Sequence, residues 1–148
     1  MQPITRFNIR VYGILIEDGN ILLADEVYME REMTKYPGGG LNPGEGPIEC
    51  LKREIKEELN MDVDVLGHLY TTDFFQRSVF IETDQVFSIY YFIERLHKEQ
   101  PINTNWIEVA NEHRIRFHWV SLNELSPDIL TFPIDKKVCE MILRSHNN

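Results

Sequence analysis

The stretch that decides the reading runs from Pro37 to Met61, PGGGLNPGEGPIECLKREIKEELNM. From Pro47 to Leu59 it predicts a helix, with Pro47 tolerated in the first turn, where its missing N–H has no helical partner anyway. Two stripes run along that helix. Ile48, Leu51, Ile55 and Leu59 recur at spacings of three and four, while Glu54, Glu57 and Glu58 share a second side. At about 100° per residue the two stripe centres lie roughly 110° apart, so one can pack while the other faces a cleft.

Three glutamates on one helical face repel one another, by a few tenths of a kcal/mol per pair. A helix built only for packing would gain by losing one. Clustered carboxylates are what hard cations need, and Mg²⁺ is commonly held by a few carboxylates together with substrate phosphates. Alone, the face reads as an ordinary solvated surface, with Lys52, Arg53 and Lys56 as partners. Gly38-Gly39-Gly40 directly ahead of it changes the balance. Glycines let backbone approach a ligand closely or take positive φ, although a lone glycine run is usually just a turn. Glu45, in the loop between, offers a further oxygen.

Taken together with their spacing, these residues resemble the Nudix hydrolase signature. The match runs through Gly39, Glu45, Arg53, Glu54, Ile55, Glu57, Glu58 and Met61, and departs at Asn60, where the signature has glycine. Asparagine is the next most tolerant residue for a left-handed helix cap. The resemblance implies an α/β fold, a Nudix-type α/β/α sandwich with a mixed β-sheet between helices. It implies a hydrolase cleaving a diphosphate linkage in a nucleoside diphosphate derivative, either a nucleotide sugar or a nucleoside polyphosphate. Mg²⁺, or Mn²⁺, would be bound by Glu54, Glu57 and Glu58 directly or through water. Gly38, Gly39, Gly40 and Glu45 would form the loop beside them, and Arg53 would align the carboxylates. Metals in such a site neutralise the diphosphate, activate a water and stabilise the leaving phosphate.

A weaker resemblance covers EHRIRFHWVSL, residues 112–122. It implies that Glu112 reaches into the site as a further metal ligand or as the general base. An exposed loop glutamate is the plain alternative, and Glu82 and Glu108 compete for the role. Two other functions stay open. One is a non-catalytic Nudix-fold sensor of nucleotide metabolites; such domains usually lose signature glutamates, all of which are present here. The other is a purely structural acidic domain, against which the joined loop and helix spacing argues.

Outward from this segment, Phe7–Glu17 reads as a strand and Asp18-Gly19 as a turn into a second strand at Ile21–Ala24. Residues 36–47 read as a loop. Val63–Leu66, Leu69–Phe75, Gln85–Ile93 and Arg114–Val120 read as strands, the third apolar enough for burial on both faces. Ser121 is placed to cap a short helical turn through Leu125. Ile134–Leu143 reads as an amphipathic helix with Ile134, Val138, Met141 and Ile142 on one side. At least two of Phe74, Phe75 and Phe80 are expected in the core, base stacking being the alternative. Cys50 reads as a small packing residue.

The 148 residues suit one domain, residues 1–148. The net charge of −9 argues against broad binding to nucleic acid or anionic membranes, but not against a phosphate ligand bridged by divalent cations. Two distant cysteines and five histidines without zinc spacing argue against disulfides and zinc. No secretory signal and no membrane span are expected, so the chain is expected to be cytoplasmic. Family members are often dimers, which leaves a homodimer open.

Overall fold

Strand-forming runs and two amphipathic helices alternate along the chain. A computed structural model describes residues 1–147. In chain order the elements are β1 (Arg6–Glu17), β2 (Asn20–Tyr28), β3 (Arg31–Lys35), β4 (Gly38–Gly40), α1 (Pro47–Leu59), β5 (Val63–Thr71), β6 (Asp84–Arg95), β7 (Ile107–Ala110), β8 (His113–Ser121) and α2 (Pro133–His146), with a 3-10 turn at Pro127–Ile129. The residues group into two compact units, Met1–Gly13 with Gly38–Leu96, and Ile14–Pro37 with the chain from His97 onward. No helix among the described residues is long and apolar enough to cross a membrane.

In the first unit β6 lies between β5 and β1. The first half of β1 also pairs with β4, placing Gly38, Gly39 and Gly40 opposite Tyr12, Val11 and Arg10. The glycine run, expected as loop, is therefore a strand. It carries no side-chain pattern, and only its ladder to β1 defines it. Helix α1 has the expected bounds and buries Cys50, Leu51 and Ile55. Ile48, expected in the packed stripe, is 44% exposed. The packed face turns toward Cys50 instead, whose thiol donates to Gly40 O at 3.4 Å. Close packing here needs Gly13: a Cβ there would fall 2.6 Å from Ile93 Cδ1 and 3.5 Å from Leu51 Cδ1.

The two strands expected at 63–66 and 69–75 are one strand, β5, with register shifts at Val65/Gly67 and His68/Tyr70. It ends at Thr71, where the Thr72 side chain takes over part of the pairing to β6: its N–H and hydroxyl both donate to Ser88 O, and its Oγ1 accepts from Ser88 N–H. Beyond the end of β5, Phe74, Phe75 and Phe80 are 37%, 57% and 37% exposed, not core. On β1 and β6 the rings of Tyr12 and Tyr90 stack at 5.4 Å.

In the second unit the order is β1, β2, β8, β7, with β3 beside β2. The Asp18-Gly19 turn is present, with both residues at positive φ. Strands β3 and β7 lie outside what the sequence pattern predicts. The turn into β3 is made by Met29 and Glu30, both at positive φ, and neither residue type signals such a turn. Ser121 heads a hydrogen-bonded turn, not a helix; its Oγ accepts from Asn123 N–H at 3.2 Å. Ile134, Val138, Cys139 and Ile142 bury one side of α2, with Met141 only half-buried.

A charged cluster crosses β2, β3 and β8. Glu26 meets Lys35 at 3.2 Å and His113 at 3.3 Å, with Glu26 and Lys35 largely buried. Burial alone would raise the Glu26 carboxyl, but Lys35 and His113 outweigh it and hold it below its ordinary value. A depressed carboxylate stabilises the fold above the unfolded pKa of about 4.3, and that stability drains away as pH falls through the folded value. Glu26→Gln should therefore cost about 3 kcal/mol at pH 7, leaving Lys35 buried beside a neutral group. It should also flatten the acid limb of a plot of Tm against pH. A variant whose Tm falls with acid as steeply as the wild type's would contradict this assignment.

Candidate active site

Helix α1 starts at Gly46, whose N–H donates to Glu49 Oε1 at 3.2 Å, and Pro47 occupies its first turn. It ends at Asn60, with φ 53° and ψ 38° and its N–H bonded to Lys56 O at 3.0 Å. This is the left-handed cap that the signature's glycine would supply, so the one departure leaves the local geometry intact.

Arg53 gathers the acidic groups. Its Nε and Nη2 donate to the two oxygens of Glu45 at 2.9 and 2.6 Å, a bidentate pair. Nη1 donates to Glu54 at 3.0 Å and to Glu57 at 3.3 Å. Nη2 also donates to Gly40 O at 3.1 Å, tying the helix to β4. One guanidinium thus offsets the repulsion among three carboxylates. Arg53, and then the N–H of Asn42, hold the Glu45 carboxyl down to about 2. Burial, and then Glu45, push the Cys50 thiol up to about 12. The thiol therefore stays protonated, as a packing residue should.

Gly39 provides the close approach. A Cβ there would lie 2.4 Å from Glu54 Cδ and 2.5 and 2.7 Å from its oxygens. The Glu54 carboxylate rests directly on the β4 backbone. Arg10 Nη1 lies 3.5 Å from the corresponding point at Gly40.

The donor chemistry fits a hard divalent cation: Glu54, Glu57 and Glu58 supply only carboxylate oxygens from one helix. As placed, no three His, Cys, Asp or Glu groups among the described residues converge tightly enough to hold a metal ion. Arg53 is the cation the carboxylates share. The Glu57 side chain is 59% exposed, so turning it requires no repacking.

Gly38, Gly39, Gly40, Glu45, Arg53, Glu54, Glu57 and Glu58 are thus all in the first unit. Glu112 belongs to the second, exposed in the β7–β8 hairpin turn with φ 58°. Glu108 is exposed on β7, and Glu82 is exposed and accepts from Gln2 N–H. His113 packs on the Tyr28 ring at 4.9 Å besides meeting Glu26.

The NUDIX domain family model matches residues 6–140, a range that takes in most of each unit. The chain belongs to the Nudix family. Among curated proteins, the Nudix chain is 40% identical over 73 residues to the mRNA-decapping protein OPG122 of Variola virus, covering 47% of this chain and 29% of that protein. It thus spans under a third of the length of the curated relatives it matches. Among solved structures it is similar to the E. coli ORF135 protein, with TM-score 0.69 and 21% identity over 95% of this chain and 93% of that one. It is also similar to a UDP-X diphosphatase, with TM-score 0.59 and 18% identity over 99% and 65%. These likenesses show the fold, a Nudix α/β sandwich with a mixed sheet and flanking helices, as the signature implies.

Sequence reasoning does not find a second set of polar residues, Asp25, Thr34, Trp106, Arg114 and Arg116. Their only signal is alternation of charged with apolar residues on β2 and β8, and it acquires meaning once the strands pair.

Proposed function

We propose that this chain is a metal-dependent Nudix pyrophosphohydrolase cleaving a diphosphate linkage in a nucleoside diphosphate derivative. Glu54, Glu57 and Glu58 hold Mg²⁺ or Mn²⁺. The observation that carries the reading is the Arg53 fork, which holds Glu45, Glu54 and Glu57 against the Gly39-Gly40 backbone.

The roles follow from the contacts. Glu54 is fixed between Arg53 and Gly39, which orients its oxygens before any ligand arrives. Glu57 is exposed and turns readily. Arg53 keeps the carboxylates close despite their repulsion. Bound Mg²⁺ would supply charge neutralisation at the diphosphate and a more acidic water. Arg53→Lys replaces the fork by a single ammonium that cannot span Glu45, Glu54 and Gly40 O together. Its turnover should fall about ten- to a hundredfold, the cost typical of losing a group that orients ligands. A kcat within twofold of the wild type would remove Arg53 from this role.

Glu112 is the proposed general base on its sequence resemblance alone. Its role predicts that Glu112→Gln lowers kcat about a hundredfold or more; an unchanged kcat returns it to being a hairpin residue.

The substrate is proposed to be a nucleotide sugar or nucleoside polyphosphate. A net charge of −9 favours a small nucleotide over a long nucleic acid. The likeness to mRNA-decapping proteins adds a capped RNA end, itself a nucleoside joined through phosphates. Cys50 and Cys139, buried and free, fit a reducing, cytoplasmic setting. The test is product release with Mg²⁺ from ADP-ribose, GDP-mannose, dNTPs, dinucleoside polyphosphates, coenzyme A and capped RNA. Cleavage of at least one, abolished by EDTA, supports the reading. Silence across the panel alongside measurable ligand binding would favour a nucleotide sensor instead.

A further inference from the structure

Alternate residues of a strand face opposite sides, and β4 separates two charged groups in this way. A Cβ at Gly39 would meet the Glu54 carboxylate, whereas one at Gly38 would lie 2.8 Å from Tyr12 Cδ1 and one at Gly40 3.5 Å from Arg10 Nη1. Arg10 and Tyr12, the β1 partners of Gly40 and Gly38, therefore stand across β4 from Glu54. Gly40 is half-exposed, and as a glycine it puts no side chain between the two sides.

Arg10 is held firmly in this place. Its Nε donates to Tyr12 OH at 2.8 Å, and its guanidinium carbon lies 5.8 Å from the Tyr12 ring centroid. Tyr12 is buried and stacks on Tyr90 at 5.4 Å, and Tyr90 lies 6.4 Å from Tyr70. The Tyr70 hydroxyl donates in turn to Asp73. A guanidinium fixed by its Nε edge has its plane set in advance, which suits it to receive an oxyanion without reordering. Arg53 cannot take that role, because Glu45, Glu54, Glu57 and Gly40 O occupy all three of its nitrogens. An oxyanion crossing β4 at Gly40 meets Arg10 instead.

A diphosphate bridged to a cation on the α1 carboxylates lies on the Glu54 side of β4. Arg10 is reached only by a group that extends beyond that pair of phosphates. We infer that Arg10 is a specificity-determining residue that binds a third phosphate, so that nucleoside polyphosphates are preferred over nucleotide sugars. The inference rests on the proposed cation-holding role of α1 and narrows the substrate class of that same site.

Calorimetric titration of the full chain in excess Mg²⁺ tests this without turnover. The probes are imidodiphosphate and diimidotriphosphate, inorganic analogues with two and three phosphates that resist hydrolysis. The wild type should bind the triphosphate analogue about tenfold more tightly than the diphosphate one. Arg10→Ala should abolish that preference while holding the diphosphate analogue within about twofold of the wild type. Tyr12→Phe, which keeps the ring packing and removes only the acceptor of Arg10 Nε, should reduce the preference about threefold. Equal wild-type affinities for the two analogues, or a preference retained in folded Arg10→Ala, would overturn the inference and leave the cation site standing. Failure of the wild type to bind either analogue would overturn both. A preference that Arg10→Ala abolishes, in a chain that cleaves no substrate, would keep Arg10 in its role and remove the hydrolase reading.

Discussion

Gly39→Ala is expected to lower turnover about a hundredfold while the protein stays folded. The added Cβ would fall 2.4 Å from Glu54 Cδ and within 2.7 Å of both its oxygens. No real contact is that short, so something must move. The backbone at Gly39 is not in the left-handed region, so the residue itself is not strained as alanine. The flexible Glu54 side chain gives way instead. Moving it breaks the 3.0 Å bond from Arg53 and takes one carboxylate out of the set proposed to hold the cation. The damage is confined to the site. A kcat reduced about a hundredfold, with Tm within a few degrees of the wild type, would confirm it. A kcat within twofold would show that Glu54 need not sit where it does.

Gly38→Ala, one residue earlier, should instead damage the fold. Its φ is +149°, a backbone conformation unfavourable to side chains, and its Cβ would lie 2.1 Å from Val11 O and 2.8 Å from Tyr12 Cα. Both obstacles are backbone, so β4 itself must lift from β1. Overpacking and backbone strain together should cost about 3 kcal/mol or more. For a chain of this size that corresponds to a Tm lowered by about 10 °C. A Tm within 2 °C of the wild type would contradict the placement of β4. Adjacent glycines thus have separable roles, one holding the strand and the other leaving room for the carboxylate.

Much of this is legible in the sequence, and the reasons are local. Helix α1 announces itself through Pro47 at its start, two stripes at helical spacing and Asn60 at its end. The Asp18-Gly19 turn is equally local. What escapes is whatever depends on pairing. Three glycines reveal no strand until β1 runs beside them. Met29 and Glu30 adopt positive φ because the β2–β3 ladder demands it, against the preference of their side chains. Phe74, Phe75 and Phe80 look like core because they are aromatic, but they lie beyond the end of β5 and are exposed there. Asp25 and Arg116 meet across 91 positions of sequence, so their hydrogen bond is invisible from either neighbourhood. The signature glutamates stand out at once, yet their common partner, Arg53, becomes a hub only when its donors are placed.

The central claim is that the α1 carboxylates act as one cation-holding set. Mn²⁺ titration followed by electron paramagnetic resonance tests it whatever the substrate. The wild type should show saturable Mn²⁺ binding that Mg²⁺ displaces. Glu57→Gln should weaken that binding about tenfold or more, and Glu54→Gln likewise, without loss of fold. Mn²⁺ affinity unchanged in both variants would contradict the claim.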